Sequence, residues 1–216
     1  MIKRVIFDID NTLIPWEDRY DKEIEKALNK LNIQYTEQEY KKIRKAFSEY
    51  EKVNYRFNKE LMLNYINNYM EKQYPIEFMD EVLKRWGDCV PAKIEDDVKD
   101  TLIYLKNKYE MVILTDWFAT EQINRLKILD INKYFSKVYS AENTNRKPFK
   151  EAFQNAIEDN KPEECVMIGD SLERDINGAI NAGLKAIYYN PNETPDYEGK
   201  NGYIIINKLE QLKEIL

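Results

Sequence analysis

The stretch Val5-Ile-Phe-Asp-Ile-Asp-Asn-Thr-Leu13 decides how the rest of the chain is read. An apolar run ends in two carboxylates, Asp8 and Asp10, two residues apart. In an extended chain that spacing places both on one side, where like charges repel. Residues 3–9 are apolar nearly throughout, as a parallel-sheet strand covered on both faces would be. Pro15 follows and ends the element.

Beyond it the texture changes. From Arg19 to Trp86 the residues are long, charged and aromatic, with apolar positions three and four apart. Four amphipathic helices are predicted, in residues 22–33, 36–53, 58–73 and 75–86. Thr36 and Asn58 are read as N-caps, and Pro75 suits a first helical turn. After Val90-Pro91 strands and helices alternate. Strands are expected at 110–115, 136–141, 165–170, 184–189 and 203–206, with helices near 95–108, 119–129, 148–158, 173–181 and at the end. That alternation predicts a Rossmann-like α/β core, a parallel sheet with helices on both faces, from residues 1–14 and 91–216. Residues 15–90 are an inserted helical domain.

Composition narrows the chemistry. The net charge of −6 is spread among mixed Lys, Arg, Asp and Glu, so no basic surface is concentrated for nucleic acid. No apolar stretch is long enough to span a bilayer, and "MIKRVIFDID" breaks its apolar run with an acid, unlike a signal peptide. A cytoplasmic location is expected. Cys89 and Cys165 are far apart and are read as core residues. With 0 His, neither a Ser-His-Asp triad nor a His-ligated metal can form within the chain.

In open parallel sheets, ligands bind outside the carboxyl ends of the strands. Those ends carry a theme here: Asp8 and Asp10; Thr115 and Asp116; Gly169, Asp170 and Ser171 with Asp175 beyond; and Lys147 just before Pro148. Several carboxylates together demand a cation, and one lysine is too little. Oxygen ligands suit a hard divalent ion, Mg²⁺ where a phosphate completes its shell. Thr115 and Lys147 are donors, which implies an anionic guest, and a phosphoryl group fits both.

The motifs "FDIDNTL", "VILTD", "RKPFKEAFQNAI" and "CVMIGDSLERDINGAINAGLKAIYYN", in this order, resemble the four motifs of the haloacid dehalogenase superfamily. The resemblance implies that the helical block is a cap. It implies that Asp8 is the nucleophile that becomes an aspartyl phosphate, and that Asp10 protonates the leaving oxygen and then deprotonates water. By the same resemblance Thr115 would bind the phosphoryl group and Lys147 would balance its charge. Mg²⁺ would sit on Asp8, Asp170 and the Asp10 carbonyl, with Asp175 ligating or orienting a metal water. Family dehalogenases lack the second aspartate; its presence resembles phosphatases and phosphomutases, since a leaving alkoxide needs a proton and a halide does not.

Asp116 departs from the asparagine many relatives carry there, which leaves substrate preference open. Trp16 and Trp117 are the first choices for substrate contact, with Asp116, Thr115 and Lys147 at the phosphoryl end. Tyr50, Tyr55 and Trp86 are read as packing residues, and Arg56 and Arg146 as surface residues. The function expected is a Mg²⁺-dependent phosphatase acting on a small phosphorylated metabolite, a sugar phosphate or nucleotide monophosphate. A phosphomutase and a non-turnover phosphoaspartyl signalling protein are the alternatives.

Overall fold

The computed structural model describes residues 1–15, 20–142 and 144–216. The chain enters through β1 (Arg4–Phe7), whose four residues are all buried. From residue 20 it forms four helices, α1 (Tyr20–Lys30), α2 (Glu37–Val53), α3 (Lys59–Met70) and α4 (Ile76–Gly87). The start of α2 is fixed by a capping box. The Thr36 hydroxyl accepts from the Glu39 amide, and the Glu39 carboxylate accepts from the Thr36 amide at 2.7 Å. A cap of this kind stabilises a helix by about 1 kcal/mol. The Asn58 side chain caps α3 by accepting from the Leu61 amide, whereas Pro75 stands at the N-cap of α4 rather than in its first turn. Each helix buries a stripe at helical spacing, Ile43, Ala46, Phe47 and Tyr50 in α2 and Phe78, Met79, Val82, Leu83 and Trp86 in α4. These stripes meet in one hydrophobic cluster, which Phe118 and Ala141 of the alternating part also join.

The alternating part follows: α5 (Asp96–Lys106), β2 (Glu110–Thr115), α6 (Ala119–Ile128), β3 (Lys137–Ser140), α7 (Lys150–Ile157) and β4 (Cys165–Gly169). A π-helical turn (Leu172–Asn177), α8 (Gly178–Asn181), β5 (Lys185–Tyr189), β6 (Ile204–Ile206) and α9 (Leu212–Ile215) complete it. The six strands are parallel in the order β3-β2-β1-β4-β5-β6. Alternation along β1 fills both faces. Val5 and Phe7 pack with Leu102 and Leu105 of α5 and Leu126 of α6, while Ile6 packs with Ala152 and Phe153 of α7 and Ala179 of α8. Cys89 and Cys165 are buried and not joined in a disulfide.

One predicted element differs. The helix expected over 173–181 opens as a π turn, in which the Ser171 carbonyl accepts from both Asp175 and Ile176. The wider turn accompanies an inward Asp175, whose carboxylate accepts from the Ser171 amide at 2.9 Å.

At the opposite end of the sheet, buried Arg4 donates to the Ala156 carbonyl and to Glu110 and Glu158 at 2.7, 2.7 and 2.9 Å. Lys137, Tyr139 and Arg4 together hold the Glu158 carboxyl down to about 2, from an ordinary 4.5. A depressed carboxyl stabilises the fold above its ordinary range and loses that contribution as pH falls through about 2. Glu158→Gln therefore lowers Tm near neutrality, and the gap to the parent closes on acidification; melts across that range check it.

Candidate active site

Because Phe7 lies level with Ile113 on one side and Ile168 on the other, the chain leaves β1, β2 and β4 along one edge. Asp8, Thr115 and Asp170 emerge there together. Asp8 is buried, and its Oδ1 accepts from Lys147 Nζ at 2.6 Å. The same ammonium donates to Asp175 Oδ1 at 2.6 Å, and Lys147 is itself only 2% exposed. Burial raises the Asp8 carboxyl well above its ordinary range; Lys147 pulls it back, while Asp175 and Asp10 push it further up. The lysine is held in its charged form by Asp175, Asp8 and Asp116 against the cost of burial. Its loop enters α7 through a cis Lys147–Pro148 bond. The Lys147 amide donates to Asp116 Oδ1 at 2.8 Å.

Asp116 thus has a structural task that its unusual identity did not advertise. One oxygen fastens the Lys147 loop and the other faces Arg174 at 3.4 Å. Asp10 is also matched: Arg125 Nη1 and Gln122 Nε2 both donate to its carboxylate, the latter at 2.8 Å. Gln122 further donates to Thr115 Oγ at 2.9 Å, as does the Trp117 amide at 3.3 Å. The Thr115 hydroxyl accepts both and keeps its own hydrogen for a guest.

Asp8, Asp170 and Asp175 each bring a carboxylate oxygen within 4.8 Å of the others. At an effective dielectric near 20, each such pair repels by about 3–4 kcal/mol. With Asp10 set against Arg125 and Asp116 against Arg174, these three carboxylates face one ammonium, leaving two negative charges. That is the charge of one divalent cation. Asp170 Oδ1 is buried with no hydrogen-bond partner among the described residues, as expected of an oxygen meant for an ion. An oxygen-only, acid-rich set of this kind fits Mg²⁺. Gly169 keeps the cluster tight, since a Cβ there would fall 2.4 Å from Asp175 Cγ.

A cavity of about 280 Å³ opens over Asp8 and Asp10 and is lined also by Glu51, Phe57, Trp117, Arg146 and Arg174. A larger cleft of about 490 Å³ shares Asn11 with it and reaches Asp170, but is lined by neither Asp8 nor Asp10, so the smaller one faces that pair of carboxylates. Trp117 reaches that cavity while packing against Phe57, Trp86 and Phe118. Trp16 lies outside the described residues. Arg146, expected on the surface, lines the cavity instead, whereas Arg56 is exposed and donates to Asn145 at 3.1 Å. Tyr50 and Trp86 are buried in the helical cluster, and Tyr55 meets Phe149.

Sequence reading did not single out Gln122, Arg125, Arg174 or Glu51. For the first two a signal existed. Phe118, Gln122, Arg125, Leu126 and Leu129 are all buried and share the inward face of α6. A glutamine and an arginine on such a face need partners, and a strand-end carboxylate is the natural one.

The fold and this site define the haloacid dehalogenase-like hydrolases, and the chain belongs to that family, whose model matches residues 5–189. Among curated relatives, it is 36% identical over 125 residues to glyceraldehyde 3-phosphate phosphatase of Methanothermobacter thermautotrophicus, spanning 54% of this chain and 55% of that protein. It is 26% identical over 211 residues to pyrimidine 5'-nucleotidase of Streptococcus pneumoniae, covering 90% of this chain and 86% of the relative. The crystal structure of a phosphatase of the family from Thermococcus onnurineus superposes with a TM-score of 0.69 at 25% identity, over 99% of this chain and 97% of that one. The matches to the first relatives span about half of their length or less. No helix among the described residues is long and apolar enough to cross a membrane.

Proposed function

We propose that the protein is a Mg²⁺-dependent phosphatase that hydrolyses a small phosphate monoester through an aspartyl phosphate on Asp8. The observation that carries this reading is the buried Asp8–Lys147–Asp175 array beside Asp170, with its two unmatched negative charges. Asp8 and Asp170 would hold the ion with the Asp10 carbonyl, and Asp175 would ligate or orient its water. Bound there, Mg²⁺ would offset the charge of the phosphoryl oxygens.

Asp8 then attacks phosphorus, with Lys147 drawing negative charge away from its Oδ1 and Thr115 donating its free hydrogen to a phosphoryl oxygen. Asp10 gives a proton to the departing oxygen and later takes one from the water that cleaves the acyl phosphate. Residues 20–87 would act as a cap, enclosing the ester beneath Glu51 and Phe57 and limiting access of bulk water.

Phosphate release from a panel of monoesters with Mg²⁺, before and after EDTA, tests the reading. Turnover that chelation abolishes and Mg²⁺ restores is expected. Release without any bisphosphate activator separates hydrolysis from phosphoryl transfer between sugar positions. A long-lived phosphoaspartate with no turnover would overturn it.

Gln122 and Arg125 aim Asp10, so their loss should weigh on proton transfer. Arg125→Met is expected to lower the rate of alkyl ester cleavage by about 10²-fold, the usual worth of a positioned acid. Cleavage of 2,4-dinitrophenyl phosphate, whose leaving group departs unprotonated, is expected to fall far less when the release of dinitrophenol is followed in a single turnover. Equal losses would place Arg125 outside proton transfer.

A further inference from the structure

Beyond the phosphoryl end, the cavity carries one charge of each sign that makes no direct ion pair among the described residues. Arg146 precedes the catalytic lysine, lines the cavity, and donates no side-chain hydrogen bond among the described residues; its Nε is buried without a partner. Glu51, near the end of α2, lines the same cavity, and neither its carboxylate oxygens nor Arg146 takes part in any ion pair found among the described residues. Burial pushes the Glu51 carboxyl up, while Arg44 on its own helix, and then Arg146 and Arg174 across the cavity, draw it down. Arg174, in contrast, already faces Asp116.

Two backbone hydrogen bonds keep this arrangement in place. The Phe57 amide donates to the Ala141 carbonyl at 2.9 Å, and the Arg146 amide to the Tyr55 carbonyl at 2.7 Å. The link between α2 and α3 is thereby fastened to the loop that carries Lys147. Tyr55 against Phe149, with ring centroids 4.6 Å apart, reinforces it.

Resting on the phosphatase reading, we infer that the leaving group is a small organic acid, bearing a carboxylate for Arg146 and a neighbouring hydroxyl or ammonium for Glu51. A phosphorylated hydroxy acid or amino acid has this pattern. Glu51 would repel the phosphoryl dianion, so its end of the cavity belongs to the leaving group. A guanidinium there recognises a carboxylate by paired N–H donors. The aromatic residues do not form a base-binding slot. Phe57 is 2% exposed and stands edge-on to Trp117 at 5.5 Å and 87°, so the rings pack on each other rather than bracket a flat guest.

Matched esters test this with Mg²⁺ present: 3-phosphoglycerate against glycerol 3-phosphate, and O-phosphoserine against phosphoethanolamine, which differ at the carboxylate. The wild type is expected to favour the acid of each pair in kcat/KM by about ten-fold or more, as sites built to bond a polar group reject analogues lacking it. Arg146→Met compresses both ratios toward one, and the ratio cancels any general loss of activity. Glu51→Gln weakens O-phosphoserine more than 3-phosphoglycerate, since an ammonium loses its countercharge. Wild-type ratios near one, or ratios unchanged in Arg146→Met, overturn the inference. Hydrolysis of p-nitrophenyl phosphate without discrimination within the pairs defeats this inference alone. No hydrolysis of any ester, p-nitrophenyl phosphate included, defeats the phosphatase reading and this inference with it.

Discussion

Asp8→Asn is expected to abolish turnover, by on the order of 10⁴-fold or more, while the protein still folds. The substitution keeps the shape and volume of the side chain but replaces the attacking oxygen with an amide. An amide cannot form the acyl phosphate, and no other carboxylate stands in the same place. Asp10 is committed to Arg125 and Gln122, and Asp175 is held by Lys147 and the Ser171 amide. The fold survives because Lys147 keeps one of its two carboxylate partners. Phosphate release beside a thermal melt decides the matter, and an active Asp8→Asn protein would sink the mechanism.

Lys147→Met is expected to lower both activity and stability. Charge stabilisation of this kind contributes about 10²–10³-fold in rate. Removing one partner of a buried charge set destabilises by about 3–5 kcal/mol, because the remaining carboxylates lose their counter-ion. The sign of the pH effect follows from the same contacts. Burial already raises the Asp8 carboxyl, and Lys147 is what pulls it down. Without the lysine the carboxyl rises further and takes up a proton as the chain folds. A group raised on folding stabilises in acid and loses that contribution as pH climbs from its unfolded to its folded value. Melts at about pH 5 and about pH 8 should therefore diverge more for the variant than for the parent. Added Mg²⁺ should raise the variant's Tm more than the parent's, since it supplies the missing positive charge. A variant as stable as the parent at both pH values would show that Lys147 is not the compensating charge.

Much of the acidic strand-end edge was legible in the chain. Strands in a parallel sheet all point one way, so residues following apolar runs must gather at one edge whatever the strand order. That is why Asp8, Thr115 and Asp170 could be picked out from spacing, with Lys147 on the loop that follows the third strand; only its charge-balancing role needed the resemblance. The helical stripes of residues 20–87 were equally plain, because burial on a helix repeats with its turn. The π turn at Leu172–Asn177 was not, since it goes with a contact between the Asp175 carboxylate and the Ser171 amide that helical periodicity does not encode.

Charge pairing was where sequence reading ran short. Asp116 looked like a surplus negative charge beside a phosphate, and the structure gives it to the Lys147 amide and Arg174. Arg146 looked like a surface residue and lines the cavity, while Gln122 and Arg125 passed as ordinary helix residues and hold Asp10. The sequence by itself determined the parallel core, the inserted helices and the set of acids at the strand ends, because period and chain direction are local properties. Only the tertiary structure decided which acids are paired with arginines and which gather around a single lysine with negative charge to spare. A charge's partner comes from another element, often more than a hundred residues away, as Arg125 is from Asp10 and Lys147 from Asp8.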